Sequence, residues 1–351
     1  METHAPRYYG SFRCLAGECP HTCCAAGWEI PLDPGAAALY NSLPGPLGER
    51  IRAFIETGPE GEPCFPLRGG SCPFLNGEGL CLIHIDRGEE ATPLICQTHP
   101  RFCYEYGPLR ERGLCGSCPE AARLILGEDP AISVWEEGPE ALEEAPPLLA
   151  ALLPARETAL ALLFAEGATL AQRLQAMLLF GNEVQVFLDE GQEGEIPRLC
   201  QVYREEFPLL DPDALPSRPQ ALEGCLDLLE GLEILSPEWR DLLSAGRGKV
   251  RAPSPSPSPP DRLGERCAAY FLYRHWLRGV WDGDVLSWAE FAVLGTAVSH
   301  LLAPLHPEGF PGAFRLFCQE LEHSEDNMAA LQDTLWDRVS LAEMLAVGQI
   351  E

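Results

Sequence analysis

The sequence predicts a mainly α protein, with a loop-rich N-terminal cysteine-cluster module of metal-binding type packed on an all-α helical domain. Three observations carry this prediction. Eleven of the fifteen cysteines fall within the first 118 residues. Apolar residues at helical spacing recur from about residue 131 onward. No alternating strand pattern of comparable length appears. The expected domains are therefore 1–130, the cysteine-rich metal or iron–sulfur module, and 131–351, the all-α domain.

Within 1–130, Cys, Gly and Pro interrupt every long periodic run, and only short helices are expected, at 34–41, 47–57 and 119–126. Such a stretch has a poor apolar core for its length, and modules of this kind are commonly held by metal–ligand bonds. From 131 the pattern changes. Leu170, Leu174, Met177, Leu178 and Gly181 lie on one helical stripe, and Thr169 with Gln172 makes a capping box at its start. Leu263, Cys267, Tyr270 and Phe271 repeat the spacing, as do Phe314, Phe317, Cys318 and Leu321. The Pro/Ser run at 251–260 cannot continue a helix, because proline fixes φ and removes a donor. An exposed linker is expected over 247–261.

The chain has 53 acidic and 25 basic residues, a net charge of −28. Nucleic acid is not an expected partner, since binding it relies on neutralising phosphates with Lys and Arg. A cationic protein or peptide would be attracted. No run of 18 apolar residues occurs, so no membrane partner is expected. The first residues carry neither a basic nor an apolar signal region, and a cytoplasmic location is expected, where thiols stay reduced.

The cysteines form two groups. Cys14, Cys19, Cys23 and Cys24 read C-x4-C-x3-C-C, and the second group runs from Cys72 through Cys81, Cys96, Cys103 and Cys115 to Cys118. Thiolates are soft ligands that select zinc, copper(I) or iron–sulfur clusters. Cys19-x3-Cys23 and Cys115-x2-Cys118 resemble zinc hooks, whereas longer gaps such as Cys81 to Cys96 suit a [4Fe–4S] cube, which accepts scattered ligands. Cys23 and Cys24 are adjacent, and consecutive side chains rarely address the same metal atom; they can serve different ones. His21, His84 and His99 sit beside cysteines and are read as surface or supporting groups. Cys200, Cys225, Cys267 and Cys318 are read as buried small hydrophobes.

The segments bearing these cysteines resemble the flagellin lysine-N-methylase family. The matching residues are Tyr8-Tyr9, Phe12-Arg13-Cys14, Cys19, Cys23-Cys24 and Gly27-Trp28-Glu29-Ile30, then Cys72-Pro73-Phe74-Leu75 and Leu80-Cys81-Leu82-Ile83. Cys96-Gln97-Thr98-His99-Pro100-Arg101 and Ser117-Cys118-Pro119-Glu120-Ala121-Ala122-Arg123-Leu124 follow, with a weaker echo at Glu265-Arg266-Cys267-Ala268-Ala269-Tyr270. The resemblance implies an S-adenosylmethionine-dependent protein-lysine N-methyltransferase acting on flagellin or another lysine-bearing protein, with an iron–sulfur cluster, [4Fe–4S] in type, or zinc as the alternative. It also implies Cys14, Cys19, Cys23, Cys24, Cys72, Cys81, Cys96 and Cys118 as metal ligands. Cys64, Cys103 and Cys115 look peculiar to this chain. The related cysteine-cluster module also occurs in proteins described only as metal-chelating, so the alternative function is a non-enzymatic zinc- or iron-chelating protein.

Methylating lysine requires a neutral amine, hence removal of a proton from an ammonium of pKa about 10.4. Trp28, Tyr104, Tyr106 and Glu120 are candidate pocket residues for this task. Arg101 is the candidate cofactor-binding residue, with a guanidinium suited to the donor's carboxylate. No glycine-rich strand–turn–helix fingerprint occurs. The C-x3-C-x2-C pattern of radical S-adenosylmethionine enzymes is half present, with Cys19-x3-Cys23 followed by alanine at position 26.

Overall fold

The computed structural model describes residues 1–350 apart from 26, 29, 59–60, 140–142 and 253–257. Ala26, where the C-x3-C-x2-C pattern breaks, Glu29 of the matching stretches, and the centre of the expected linker lie outside the described residues. The chain is mainly α, as its periodicity predicts, and it divides into two compact units. The cysteine unit comprises Phe12–Phe102 with Cys118–Ala121. The helical unit comprises Met1–Ser11, Cys103–Ser117 and Ala122–Glu351. The division therefore does not fall at residue 130.

Strand pairing explains the difference. The described strands are β1 (Glu2–Pro6), β2 (Ile30–Pro31), β3 (Glu56–Thr57), β4 (Pro63–Phe65), β5 (Arg101–Tyr106), β6 (Leu109–Leu114) and β7 (Ile132–Glu136). A four-stranded sheet in the order β5-β6-β1-β7 makes the chain's first residues part of the helical unit. β1 runs parallel to β6, pairing His4 with Glu111, and antiparallel to β7, pairing Ala5 with Ser133. The second domain is thus not purely helical. Between β5 and β6 the chain turns at Gly107, whose φ of +63° suits glycine. A Cβ there would also lie 2.6 Å from the Glu144 carbonyl oxygen.

The helix Leu286–Leu302 is the core of the helical unit. The segment Leu286–Leu305 is long and apolar enough to cross a membrane, with mean hydropathy 1.3, yet 94% of it is buried inside the protein. Phe291 on this helix packs edge to face or tilted with Phe271 and Phe317, and Phe271 with Phe314 and Phe317, with ring centroids 5.0–5.8 Å apart. The stripe from Leu170 to Gly181 is buried as predicted, and the Thr169/Gln172 capping box is formed. Gly181 permits close helix approach: a Cβ there would meet the Ala289 Cβ at 2.9 Å.

One helix replaces part of the expected linker. Pro237–Arg251 stays helical through 247–251, capped at its start by Ser236, whose hydroxyl accepts from the Trp239 N–H. The proline run begins only after it, so nothing earlier breaks the backbone ladder. The predicted helix 47–57 instead spans Gly45–Ala53, because Glu56 and Thr57 leave it to pair with β4 as β3.

The cysteine unit does have an aromatic core, contrary to the expectation of a poor one. Tyr40, Ile51, Phe65, Phe74 and Ile83 are fully or almost fully buried. Phe65 lies 4.7 Å from Phe74 and 5.7 Å from Tyr40, centroid to centroid. The Tyr40 hydroxyl donates to the Ala91 carbonyl at 2.7 Å. Cys72 is part of this core, and Cys24 and Cys81 pack against it.

Candidate metal centre

All eight cysteines implied by the resemblance lie in the cysteine unit, although they are up to 104 positions apart in sequence. Among the described residues no cysteine is joined to another in a disulfide. Cys14, Cys23 and Cys96 are exposed, Cys19, Cys24, Cys81 and Cys118 half-buried, and Cys72 buried.

Short local structures present these thiols. The Cys72 N–H donates to the Cys24 carbonyl at 2.7 Å, fastening the first cysteine loop to the second. The loop after Cys72 folds back on itself. Asn76 Oδ1 accepts from the N–H groups of Glu78 and Leu80, Leu75 bridges to Cys81, and the Leu82 N–H donates to Phe74 at 2.8 Å. Cys81 precedes the helix Leu82–Arg87 and Cys118 precedes Pro119–Gly127. The Cys81 sulfur accepts N–H bonds from Ile83 and His84, and the Cys118 sulfur from Glu120 and Ala121. The Cys72 sulfur accepts from Phe74 and Leu75 in the same way. Such bonds favour a thiolate. Cys96 rides on the helix Leu94–Thr98. Asp33 Oδ2 accepts the Leu94 N–H at 2.8 Å while its Oδ1 caps the helix Pro34–Ser42 through Ala36 at 3.0 Å. These backbone donors hold the Asp33 carboxyl below the usual range.

Burial, with a lesser part from crowding, sets the protonation of these thiols. Desolvation pushes Cys72 and Cys118 up to about 11 and Cys96 up to about 12, with neighbouring thiols adding to it. Cys23 donates to Cys24, which raises Cys23 and lowers Cys24 to about 6. A cation would relieve this repulsion, because metal binding takes the deprotonated ligand. Among the described residues, no three Cys, His, Asp or Glu donors converge as a single-ion site. A mononuclear zinc site needs four donors at about 2.0–2.3 Å from one point. A [4Fe–4S] cube takes one cysteine per iron, so its four ligands gather around a cluster and not at one point.

The other predicted residues are placed as follows. Arg101 lies with its guanidinium 4.8 Å over the Phe12 ring. Trp28 packs against His99, centroids 6.0 Å apart. Tyr106 is buried in the helical unit, and Tyr104 and Glu120 are half-buried. The apparent hook Cys115-x2-Cys118 is divided, Cys115 belonging to the helical unit and Cys118 to the cysteine unit.

Cys115 belongs to a polar cluster that the sequence did not disclose. Its sulfur lies 3.2 Å from Ser117 Oγ, 3.5 Å from His323 Nε2 and 3.7 Å from Glu322 Oε2. The Tyr270 hydroxyl donates to Glu322 at 2.7 Å and accepts from the Gly116 N–H and from Arg274. His275 Nε2 lies 2.7 Å from Glu322 Oε1. Burial would raise the Cys115 thiol, but the Arg274 guanidinium and the His323 hydrogen bond overcome it and lower the thiol to about 7. The Tyr270/Arg274 i, i+4 pair was the available signal, hidden because the tyrosine also fits an apolar stripe.

Tyr270 also lines a cavity of about 410 Å³ within the helical unit. Tyr8, Tyr273, Ile132, Leu160 and Phe164 supply much of its wall, with Glu157, Asp129 and Arg266 as its charged members. The Tyr273 hydroxyl is engaged elsewhere, 3.0 Å from the carbonyls of His4 and Arg112. Its volume lies in the range of small-molecule pockets.

Comparison with known proteins agrees with the resemblance read from the sequence. The chain is 26% identical over 141 residues to the flagellar biosynthetic protein FliU of Salmonella muenchen, a stretch covering 38% of this chain and 81% of that protein. It is 26% identical over 141 residues to the lysine-N-methylases of Salmonella typhimurium and Salmonella choleraesuis, spanning 34% of each. No protein-family model matches the chain, and no solved structure matches it.

Proposed function

We propose that this chain, which resembles the lysine-N-methylases over part of its length, is a protein-lysine N-methyltransferase. In this reading it takes its methyl group from S-adenosylmethionine and acts on flagellin. The observation that carries the reading is the gathering of the eight matched cysteines, otherwise scattered from Cys14 to Cys118, into one compact unit. These eight thiols are assigned to an iron–sulfur centre, which supplies one-electron chemistry when bound.

The cavity of the helical unit is assigned to the target lysine side chain. Its apolar wall of Ile132, Leu160 and Phe164 disfavours the ammonium form, and its tyrosine rings suit a cationic methylated product. Glu157 is the carboxylate assigned to accept the lysine proton. The donor's carbon–sulfur bond breaks, the carbon–nitrogen bond forms, and the amine proton passes to the base.

The test is anaerobic incubation of the purified protein with flagellin, reductant and methyl-labelled S-adenosylmethionine. Label on flagellin lysines is expected, reduced roughly 100-fold or more in Glu157→Gln, the usual scale for losing a general base. Metal-loaded protein that leaves flagellin unlabelled overturns the enzymatic reading and leaves the chelating one.

A further inference from the structure

We propose that Cys115, joined to His323 through Ser117, is a peroxide-reactive thiol that hydrogen peroxide converts to a sulfenic acid. Cys115 is not among the eight cysteines implied as metal ligands, and this chemistry is independent of methyl transfer. Cys115, Ser117, Tyr270, Arg274, Glu322 and His323 all belong to the helical unit.

The backbone places the thiol. β6 ends at Leu114, and Gly116 lets the chain beyond it lie against the helix Gly309–Glu322. A Cβ at Gly116 would stand 2.6 Å from both Cys318 Sγ and the Phe314 ring, so a larger residue would push the segment off the helix. The close approach brings Cys115 to the end of that helix, where Glu322 and His323 stand. Ser117 bridges the thiol and the imidazole: its Oγ lies 3.2 Å from Cys115 Sγ and 2.7 Å from His323 Nε2. With Nε2 protonated, its N–H donates to the serine oxygen and the serine hydroxyl donates to the sulfur.

The surrounding charges suit a thiolate. Burial opposes ionisation of Cys115 and Glu322 alike, and the Arg274 guanidinium, 3.3 Å from Glu322 Oε1, offsets it for both. Burial would also lower the His323 imidazole, but its hydrogen bond to Cys115 raises it instead. The anions Cys115 and Glu322 thus face the cations Arg274 and His323, the balance that a buried thiolate requires. Burial keeps the remaining titratable neighbours, His275, Tyr270 and Cys318, neutral at pH 7. Cys115 is 4% exposed, which bars bulky electrophiles but admits hydrogen peroxide, hardly larger than water. The Gly116 N–H is engaged by the Tyr270 hydroxyl at 2.9 Å and is not free to hold an oxyanion, which disfavours acyl transfer. In the peroxide reaction the sulfur attacks the nearer oxygen, an S–O bond forms and the O–O bond breaks. The departing hydroxide takes the Ser117 proton while His323 returns one to Ser117. The thiolate is oxidised to a sulfenic acid and the peroxide is reduced to water.

The test treats the anaerobically purified full chain with hydrogen peroxide for short times, traps sulfenic acid with dimedone and digests with trypsin. Tandem mass spectrometry of the peptide 113–123 then separates Cys115 from Cys118. Cys115 should be labelled about 10-fold faster or more than the buried thiols Cys225 and Cys267, which lack a cationic partner. Its rate should rise with pH as the thiolate forms and fall again as His323 loses its proton. His323→Gln should slow labelling roughly 100-fold, the lower end for losing a proton donor, and abolish the falling limb, which a merely structural role would leave in place. Far-UV circular dichroism checks that the variant folds, and His323→Asn replaces it if it does not. A Cys115–Cys318 disulfide in place of the dimedone adduct would also support the proposal, because it forms from the same sulfenic acid with loss of water. Folded protein whose Cys115 reacts no faster than Cys225, or a His323→Gln variant with unchanged rate and pH profile, would overturn it.

Discussion

The ion pair between Glu111 and Arg156 gives the sharpest test of how the helical unit is assembled. Glu111 sits on β6 and Arg156 on the helix Leu149–Leu163, and neither is more than 2% exposed. Arg156 Nη1 donates to Glu111 Oε2 at 2.8 Å and to the Tyr273 carbonyl at 3.2 Å, and its guanidinium lies 4.9 Å over the Tyr273 ring. Glu111→Gln removes the counter-charge and strands a buried guanidinium, a change that costs about 3–5 kcal/mol. The Tyr273 contacts survive the substitution, which sets the expected loss near 3 kcal/mol, the lower end of that range. Replacing both residues by methionine removes the charges together and should cost less than the single change, since buried pairs are often close to neutral against apolar residues of similar volume. Urea denaturation at pH 7 measures both variants. A Glu111→Gln loss below about 1 kcal/mol, or a double variant less stable than the single one, would refute the reasoning. The same helix carries Glu157, Leu160 and Ala161 of the cavity, so the pair also fixes one wall of the proposed lysine site.

Three further outcomes are expected. Glu290 is buried with Oε2 lacking a partner, and burial raises its carboxyl to about 8. The unfolded carboxyl ionises first, so this residue withdraws stability as pH rises from about 4.5 to about 8, by on the order of 4 kcal/mol in total. Glu290→Gln should flatten that slope in urea midpoints measured at pH 5 and pH 8, and an unchanged slope would contradict the assignment. Asp33→Ala removes a helix cap and the anchor of the Cys96 helix, costing about 1 kcal/mol from the cap alone. It should also quicken metal loss to a chelator, followed by absorbance. Gly181→Val forces a side chain against Ala289 and should cost about 1–3 kcal/mol by thermal or urea unfolding.

Much of the helical unit was legible from local pattern. The stripe from Leu170 to Gly181 and its capping box depend on residues within four positions of one another, which is the range that periodicity reads. The sheet was hidden for the opposite reason. β6 turns Glu111 inward, so its buried face does not look apolar, and its partner β1 lies about a hundred residues away in sequence. The aromatic core of the cysteine unit was hidden because Tyr40, Phe65 and Phe74 share no helical or strand period. The eight cysteines implied by the resemblance all fall in the cysteine unit. Cys115 was not separable from the others by spacing. Its neighbours Glu322 and His323 come from the far end of the chain, and only folding brings them to it.

Iron and acid-labile sulfide per chain, measured on protein purified without oxygen, tests the central assignment most directly. The account predicts both elements in equal amounts, bound by the thiols of Cys14 through Cys118. Folded protein carrying neither element, whether zinc-loaded or metal-free, would contradict it.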